Sequence, residues 1–336
     1  MSDSFYYLRG SSVQCLIFFH CFQRYFFQDS EKRLPELFQL LDPKDDGEVD
    51  YITWSKLLTP QDLPAITKGC RQMGPLGRAT PTEQEVELIE KIHERAHSLA
   101  KEAFQCGIRL LIDAEQSYFQ PAIDNLTLDL QQTYNATDKT DAPIIFNTYQ
   151  CYRKDTLEHL MMDVERSERF NYHFACKLVR GAYMESERKR ADINKYPSPI
   201  HEAIQDTHQC YNDAASYLIR QSLKTDKQLE VMCATHNQES IEKAISVMDE
   251  CGIDRSAPTV HFAQLYGMSD NLTYNLGKQG FRAYKYVPYG QVKEVMPYLM
   301  RRAQENSAVM GNASRELSLL RKELFRRARA SLGKAA

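Results

Sequence analysis

The stretch Phe174-Ala-Cys-Lys-Leu-Val-Arg-Gly-Ala-Tyr183 begins as a nearly continuous apolar run and closes on a guanidinium, a glycine and a phenol. An apolar run without polar alternation is the pattern of a strand covered on both faces, as in a parallel sheet. Strand-like runs also occur at Arg109-Leu-Leu-Ile-Asp113, Pro143-Ile-Ile-Phe-Asn-Thr-Tyr149, Leu229-Glu-Val-Met-Cys-Ala234, Thr259-Val-His-Phe262 and Phe281-Arg-Ala-Tyr-Lys-Tyr286, several of them likewise nearly continuous. Helical patterns at 155–168, 200–224 and 238–251 separate most of these runs, so the order is β-α repeated and a parallel sheet or barrel is expected. Polar residues gather where each run stops: Asp113 and Glu115, Gln150, Arg180 to Tyr183, Thr235-His236-Asn237, Gln264, and Tyr286 to Gly290. Functional groups at the carboxyl ends of successive strands are what a (β/α) barrel active site requires.

Working outward, Ile89, Ile92, Ala96, Leu99 and Ala103 recur at helical spacing after Thr82 and stop at Gly107, a helix whose apolar stripe is expected to face the core. Upstream, residues 59 to 82 carry Pro60, Pro64, Gly69, Gly74, Pro75, Gly77 and Pro81, the punctuation of a linker or surface insertion. The expected organisation is a helical segment over 1–82 and a catalytic barrel domain over 83–336. That length, 336 residues in all, suits one barrel with an extra segment. A net charge of −3 gives no global positive field and argues against nucleic acid as a partner. Nine cysteines without a Cys-x-x-Cys pair suggest neither a disulfide framework nor a thiolate zinc site. The apolar start, Val13 to Phe22, is too short to span a membrane and does not read as a signal or transit segment.

Near the C-terminus, a helix from about 296, with Pro297 in its first turn, places Tyr298, Arg301, Arg302 and Glu305 on one face. Two adjacent guanidiniums form a socket for a carboxylate, Glu305 can brace them, and Tyr286 and Tyr298 can wall the socket with flat rings. On spacing alone, an exposed face of solvated arginines explains the same pattern equally well.

The ordered set Asp113-Ala-Glu115, Phe146-Asn-Thr-Tyr-Gln150, Lys177-Leu-Val-Arg-Gly-Ala-Tyr183, Ala234-Thr-His-Asn237, Leu265-Tyr-Gly-Met268, Tyr286-Val-Pro-Tyr-Gly290 and Arg301-Arg-Ala-Gln-Glu-Asn306 resembles the proline dehydrogenases over about residues 84 to 328. The resemblance implies an α/β fold, a distorted (β/α)8 TIM-like barrel. It also implies non-covalent FAD, oxidation of L-proline to 1-pyrroline-5-carboxylate, and transfer of electrons to a quinone. By the same resemblance Arg301 and Arg302 bind the substrate carboxylate with Glu305 bracing them, and Tyr183, Leu265, Tyr286 and Tyr298 enclose the ring. Asp113 falls at a catalytic-site aspartate. Ala114, Gln150, Arg180, Gly181, Ala182, Thr235 and His236 fall at flavin-contacting positions. Lys177 stands where many bacterial members carry an arginine near the flavin, keeping the charge without the planar fork. No metal enters that chemistry. The implied location is mitochondrial, on the matrix side of the inner membrane, with peripheral association with that membrane. A hydroxyproline dehydrogenase of the same fold is the rival. The family's early strand with a Lys-Leu-x-Ala-Leu type motif finds no match, so a barrel lacking its first strand, and an inactive truncated form, are expected alternatives.

Other motifs carry weaker readings. His93-Glu-Arg-Ala-His97 is a literal H-E-x-x-H, the signature of a zinc peptidase with His93 and His97 as ligands, Glu94 as base and Glu115 as a possible third ligand. Against it, this helix is already expected to bury Ile89, Ile92, Ala96 and Leu99, and helices of a barrel sit on its outside, away from the strand ends. The segment Asp42 to Thr53 resembles a calcium loop but has Lys44 at one ligand position and Thr53 where a bidentate glutamate belongs. From Arg315 to Lys334, seven basic and two acidic residues interleave with Leu317, Leu320, Leu324 and Ala328, a basic amphipathic helix suited to packing or to an anionic membrane surface.

Overall fold

The computed structural model describes residues 12–14, 48–50, 52–53, 80–307 and 310–332. Most of the Pro/Gly-rich linker and the calcium-loop positions 42 to 47 lie outside the described residues. Two short strands, β1 (Ser12–Gln14) and β2 (Glu48–Asp50), pair antiparallel. Six parallel strands follow in chain order: β3 (Leu110–Leu111), β4 (Ile145–Gln150), β5 (Phe174–Val179), β6 (Leu229–Ala234), β7 (Val260–Leu265) and β8 (Arg282–Tyr286). They correspond one for one to the six apolar runs, although β3 is trimmed to two residues.

Helices alternate with them: α1 (Glu83–Cys106), α2 (Gln120–Tyr134), α3 (Thr156–Arg169), α4 (Met184–Asn194), α5 (Ile204–Gln221), α6 (Gln238–Glu250), α7 (Asp270–Lys278), α8 (Val292–Ser307) and α9 (Met310–Leu332). Local chemistry sets their ends. Thr82 and Glu85 form a reciprocal capping box at the start of α1, and Gly107 closes it at φ 64°, where a side chain would meet its own backbone. Helix α8 begins at Val292, earlier than expected, so Pro297 lies inside it rather than in the first turn. The helix starts there because Glu294 and Val295 donate to the Gln291 carbonyl at 2.9 and 3.0 Å; Pro297, having no N–H, interrupts the ladder one turn later.

The chain divides into two compact units inside β6, Met1–Glu230 and Val231–Ala336. In the first, β3 pairs with β4 through Leu110–Ile145 and Leu111–Phe146, and β4 with β5 from Asn147–Cys176 to Gln150–Val179. Phe146, Leu160, Leu178 and Ile200 are fully or almost fully buried there, each burial contributing about 1.5–3 kcal/mol before the entropy of ordering. Arg109 clamps Glu230 through two bonds of 2.9 Å, which pairs a carboxylate that is otherwise buried. In the second unit β6 pairs with β7 from Val231–Val260 to Ala234–Ala263, and β7 with β8 from His261–Arg282 to Leu265–Tyr286. Phe262 and Phe281 meet there edge to face.

The face of α1 differs from expectation. Ile92 and Leu99 are 53% and 65% exposed, while Ala100 is fully buried and Ala96, Ala103 and Phe104 pack with it against Leu126, Leu130 and Tyr134 of α2. Small alanines let the two helices approach, and the large apolar residues at 92 and 99 are left on the outer side.

Candidate active-site residues

In the first unit the strand ends hold their polar groups through a dense set of bonds. Asp113, just beyond β3, pairs with the Lys177 ammonium of β5; the lysine side chain is 13% exposed and the aspartate 60%. Gln150 is buried at the end of β4 and donates from Nε2 to the Glu115 carbonyl at 2.6 Å, while the Glu115 N–H donates to Gln120 at 2.9 Å. Ala114 lies between these fixed points and is half-buried. Arg180 follows β5, donates from Nε to His208 Nδ1 at 2.9 Å and lies 4.5 Å above the Tyr211 ring. Burial pulls its pKa below the ordinary guanidinium value.

Gly181 is the residue this geometry cannot exchange. Its φ is 128°, and a Cβ there would stand 2.5 Å from the ring of Tyr152. Ala182 is exposed, and Tyr183 starts α4 half-buried. A further residue, unseen from sequence, holds this loop region: the fully buried Glu187 of α4 accepts from Ser117 N–H at 2.5 Å and Ser117 Oγ at 2.7 Å. Behind β4, Asn147 and Gln120 both donate to Asp124, at 2.9 and 2.8 Å, and Tyr149 donates to Asp163 at 2.7 Å. Burial pushes Asp163 up to about 6, against the opposing charge of Arg166.

In the second unit, Thr235 is buried past β6, and its Oγ1 accepts from the Asn237 N–H at 3.1 Å. His236 contacts Ser269 Oγ through Nδ1 at 3.0 Å, and its Nε2 accepts from the Leu265 N–H at 3.4 Å. Both ring nitrogens therefore face partners in the chain, and the backbone bond fixes Nδ1 as the protonated one. Leu265 ends β7 and Tyr286 ends β8 in register with it. The Tyr286 and Tyr298 rings lie 5.8 Å apart and tilted, and the Arg302 guanidinium lies 5.1 Å from the Tyr298 ring. The expected pairing of phenols with an arginine one turn on is thus present. The backbones of Arg301 and Glu305 are helical, and their side chains lie outside the described residues.

A family profile described as proline dehydrogenase matches residues 48–315. The chain belongs to the proline dehydrogenase family. It is 41% identical to human mitochondrial proline dehydrogenase 1, with 84% of this chain and 47% of that protein covered. It is 38% identical to hydroxyproline dehydrogenase of Xenopus laevis, with 69% and 49% covered. The chain spans about half the length of the curated relatives it matches. Among solved structures, proline utilization A of Bdellovibrio bacteriovorus, inactivated by N-propargylglycine, superposes with a TM-score of 0.57 at 23% identity, covering 66% of this chain and 22% of that one. That likeness shows the fold, the TIM-like α/β fold that the resemblance implies and that agrees with the parallel β-α order read from the strand pattern.

Two motifs outside this set also resolve. His93 and His97 gather with Asp129 of α2, not with Glu115, whose backbone is engaged at the end of β3. At the end of the calcium-like segment, the Asp50 carboxylate is taken by Arg169 at 2.5 Å and by Thr53 N–H and Oγ1 at 2.8 and 3.0 Å. Although burial opposes it, these bonds hold Asp50 below the usual carboxylate range.

Proposed function

We propose that the protein oxidises L-proline to 1-pyrroline-5-carboxylate, using FAD as the hydride acceptor and a quinone as the onward acceptor. The observation that carries the reading is the Tyr286–Tyr298–Arg302 arrangement, an amphipathic wall beside a fixed cation, in a chain of this family. Arg301 and Arg302 hold the carboxylate with Glu305 bracing them, and Leu265, Tyr286 and Tyr298 cover the ring, with Tyr183 assigned to the same substrate by the resemblance. The residues present fit a flavin: Lys177, held by Asp113, and Arg180 supply positive charge at the end of β5, next to Gly181, whose missing Cβ makes room for the Tyr152 ring. Ala114, Gln150, Ala182, Thr235 and His236 complete the cofactor contacts in this reading. Bound FAD supplies the two-electron chemistry, so the chain's task is positioning. His236 serves by holding Leu265 and Ser269 in place.

The proposed location is the matrix side of the inner mitochondrial membrane, in line with the mitochondrial relatives. Peripheral contact would come through α9, where Leu317, Leu320, Leu324 and Phe325 are exposed among basic residues. Among the described residues no helix is long and apolar enough to cross a membrane.

The likeness to the Xenopus hydroxyproline dehydrogenase keeps a second substrate in view. The resemblance implies a small serine in that branch at the position of Tyr286, and a tyrosine leaves less room for a ring hydroxyl. Measured as dye reduction, kcat/KM should favour proline over 4-hydroxyproline, and Tyr286→Ser should shift the ratio towards hydroxyproline. Equal efficiencies in the unaltered protein would overturn the proline assignment in favour of the second reading.

A further inference from the structure

Helices α1 and α2 carry a constellation that proline oxidation does not use. His93 and His97 lie one turn apart on the side of α1 that bears Ala96 and Ala100, and both are half-buried. Across from them stands Asp129 of α2, next to the fully buried Leu130. One ligand atom from each of the three residues lies within 4.8 Å of the others, and His97 Nε2 is 2.8 Å from Asp129 Oδ2.

The surroundings orient the His97 ring. Tyr134 donates its hydroxyl proton to the His97 carbonyl at 3.1 Å, which leaves the phenol oxygen facing His97 Nδ1 at 3.5 Å as an acceptor. Nδ1 thereby keeps its proton and Nε2 points to Asp129, the arrangement in which a hydrogen bond to one ring nitrogen prepares the other as a metal ligand. His93 has no hydrogen-bond or ion-pair partner among the described residues, although it is half-buried.

We propose that His93, His97 and Asp129 form a zinc site that staples α1 to α2. Two imidazoles and a carboxylate suit zinc, whereas magnesium and calcium require oxygen-rich sets. Bonds of about 2.0–2.2 Å in a tetrahedron set ligand atoms roughly 3.3 Å apart, so the three side chains close inward modestly while His97 and Asp129 separate slightly. The ion inserts between His97 Nε2 and Asp129, any proton bridging them leaves to solvent, and water completes the fourth position. The site is structural: it is built on two helices, not on strand ends, and Glu94, the base of the peptidase reading, is exposed.

The test uses the full chain, stripped with a chelator and titrated with zinc chloride alone. Calorimetry should show one tight equivalent, and zinc should raise the melting temperature while magnesium does not. His93→Gln and Asp129→Asn should each weaken zinc binding by at least about tenfold and abolish the thermal shift. His93→Gln removes no hydrogen bond or ion pair among the described residues, so its melting temperature without metal should stay close to that of the unaltered chain. Cobalt(II) should give visible d–d bands of a nitrogen and oxygen set. Undiminished zinc affinity in both variants, absence of zinc binding to the unaltered chain, or a cobalt–thiolate charge-transfer band, which would assign the metal to cysteines, would each overturn the proposal. None of these readouts involves flavin or proline, so the result stands apart from the catalytic assignment.

Discussion

Gly181 and Asp163 show what single residues contribute. At φ 128° and with the Tyr152 ring 2.5 Å from a would-be Cβ, Gly181→Ala combines backbone strain with a steric clash. A loss of about 1–3 kcal/mol is expected. Adding Tyr152→Leu should recover part of it in thermal melts, because the clash is relieved while the backbone penalty stays; no recovery would mean that the ring is not what restricts this position. Asp163 makes a statement about pH. Burial raises its folded-state value from 3.8 to about 6, so native Asp163 holds its proton more tightly than the unfolded chain does. The resulting stabilisation is complete below the ordinary carboxylate value and is lost as pH rises through about 6. Relative to Asp163→Asn, the unaltered protein should therefore lose about 2–3 kcal/mol of stability between roughly pH 4 and pH 7. A stability difference between the two proteins that does not vary with pH would contradict the assignment.

Among the elements, α9 offers the sharpest test. Glu323 is already bonded to Arg326 and Arg327, at 2.7 and 2.9 Å, while the exposed Arg321, Lys322 and Arg329 and the exposed leucines can meet an anionic surface. Co-sedimentation with anionic vesicles should fall in a chain ending at Ala313 and weaken with salt in the unaltered chain; equal binding by both chains would dismiss α9 as a membrane element. The six parallel strands were legible because doubly covered strands must be apolar throughout, and this pattern survives even when polar residues such as Asn147 and Gln150 are buried by bonding to Asp124 and to the Glu115 carbonyl. The face of α1 was legible in part: Ala96 and Ala103 of the expected stripe pack on α2, but Ile92 and Leu99 do not. Isoleucine and leucine suggested one stripe, but close packing on α2 selected the alanines, and the histidines turned inward with them. Partners distant in sequence were equally hidden: nothing near Glu187 indicates Ser117, and nothing near His93 and His97 indicates Asp129. The beginning of α8 was misplaced because Pro297 reads as a first-turn residue, whereas the helix accepts it in its interior.

Across the whole molecule, the residues assigned to substrate and cofactor are distributed over both units. Asp113, Gln150, Lys177 and Arg180 to Tyr183 belong to the first, and Thr235, His236, Leu265, Tyr286, Tyr298 and Arg302 to the second. Most of these positions were legible as polar breaks at the ends of strand-like runs or as one helix face, while their assignment to substrate or cofactor rests on the family resemblance. The central claim, that the arginine face of α8 receives a carboxylate, is most directly tested by ligand binding. Cyclopentanecarboxylate and cyclopentane-methanol, the same ring with and without the charge, are titrated into the flavin-loaded unaltered protein and into Arg302→Met, with binding read by calorimetry. The account predicts that the acid binds the unaltered protein far more tightly than the alcohol. It further predicts that Arg302→Met weakens the acid by roughly tenfold or more, as loss of a charge-assisted bond worth about 1.5–3 kcal/mol requires, with little effect on the alcohol. Equal binding of acid and alcohol by the unaltered protein, or an undiminished affinity of Arg302→Met for the acid, would contradict it.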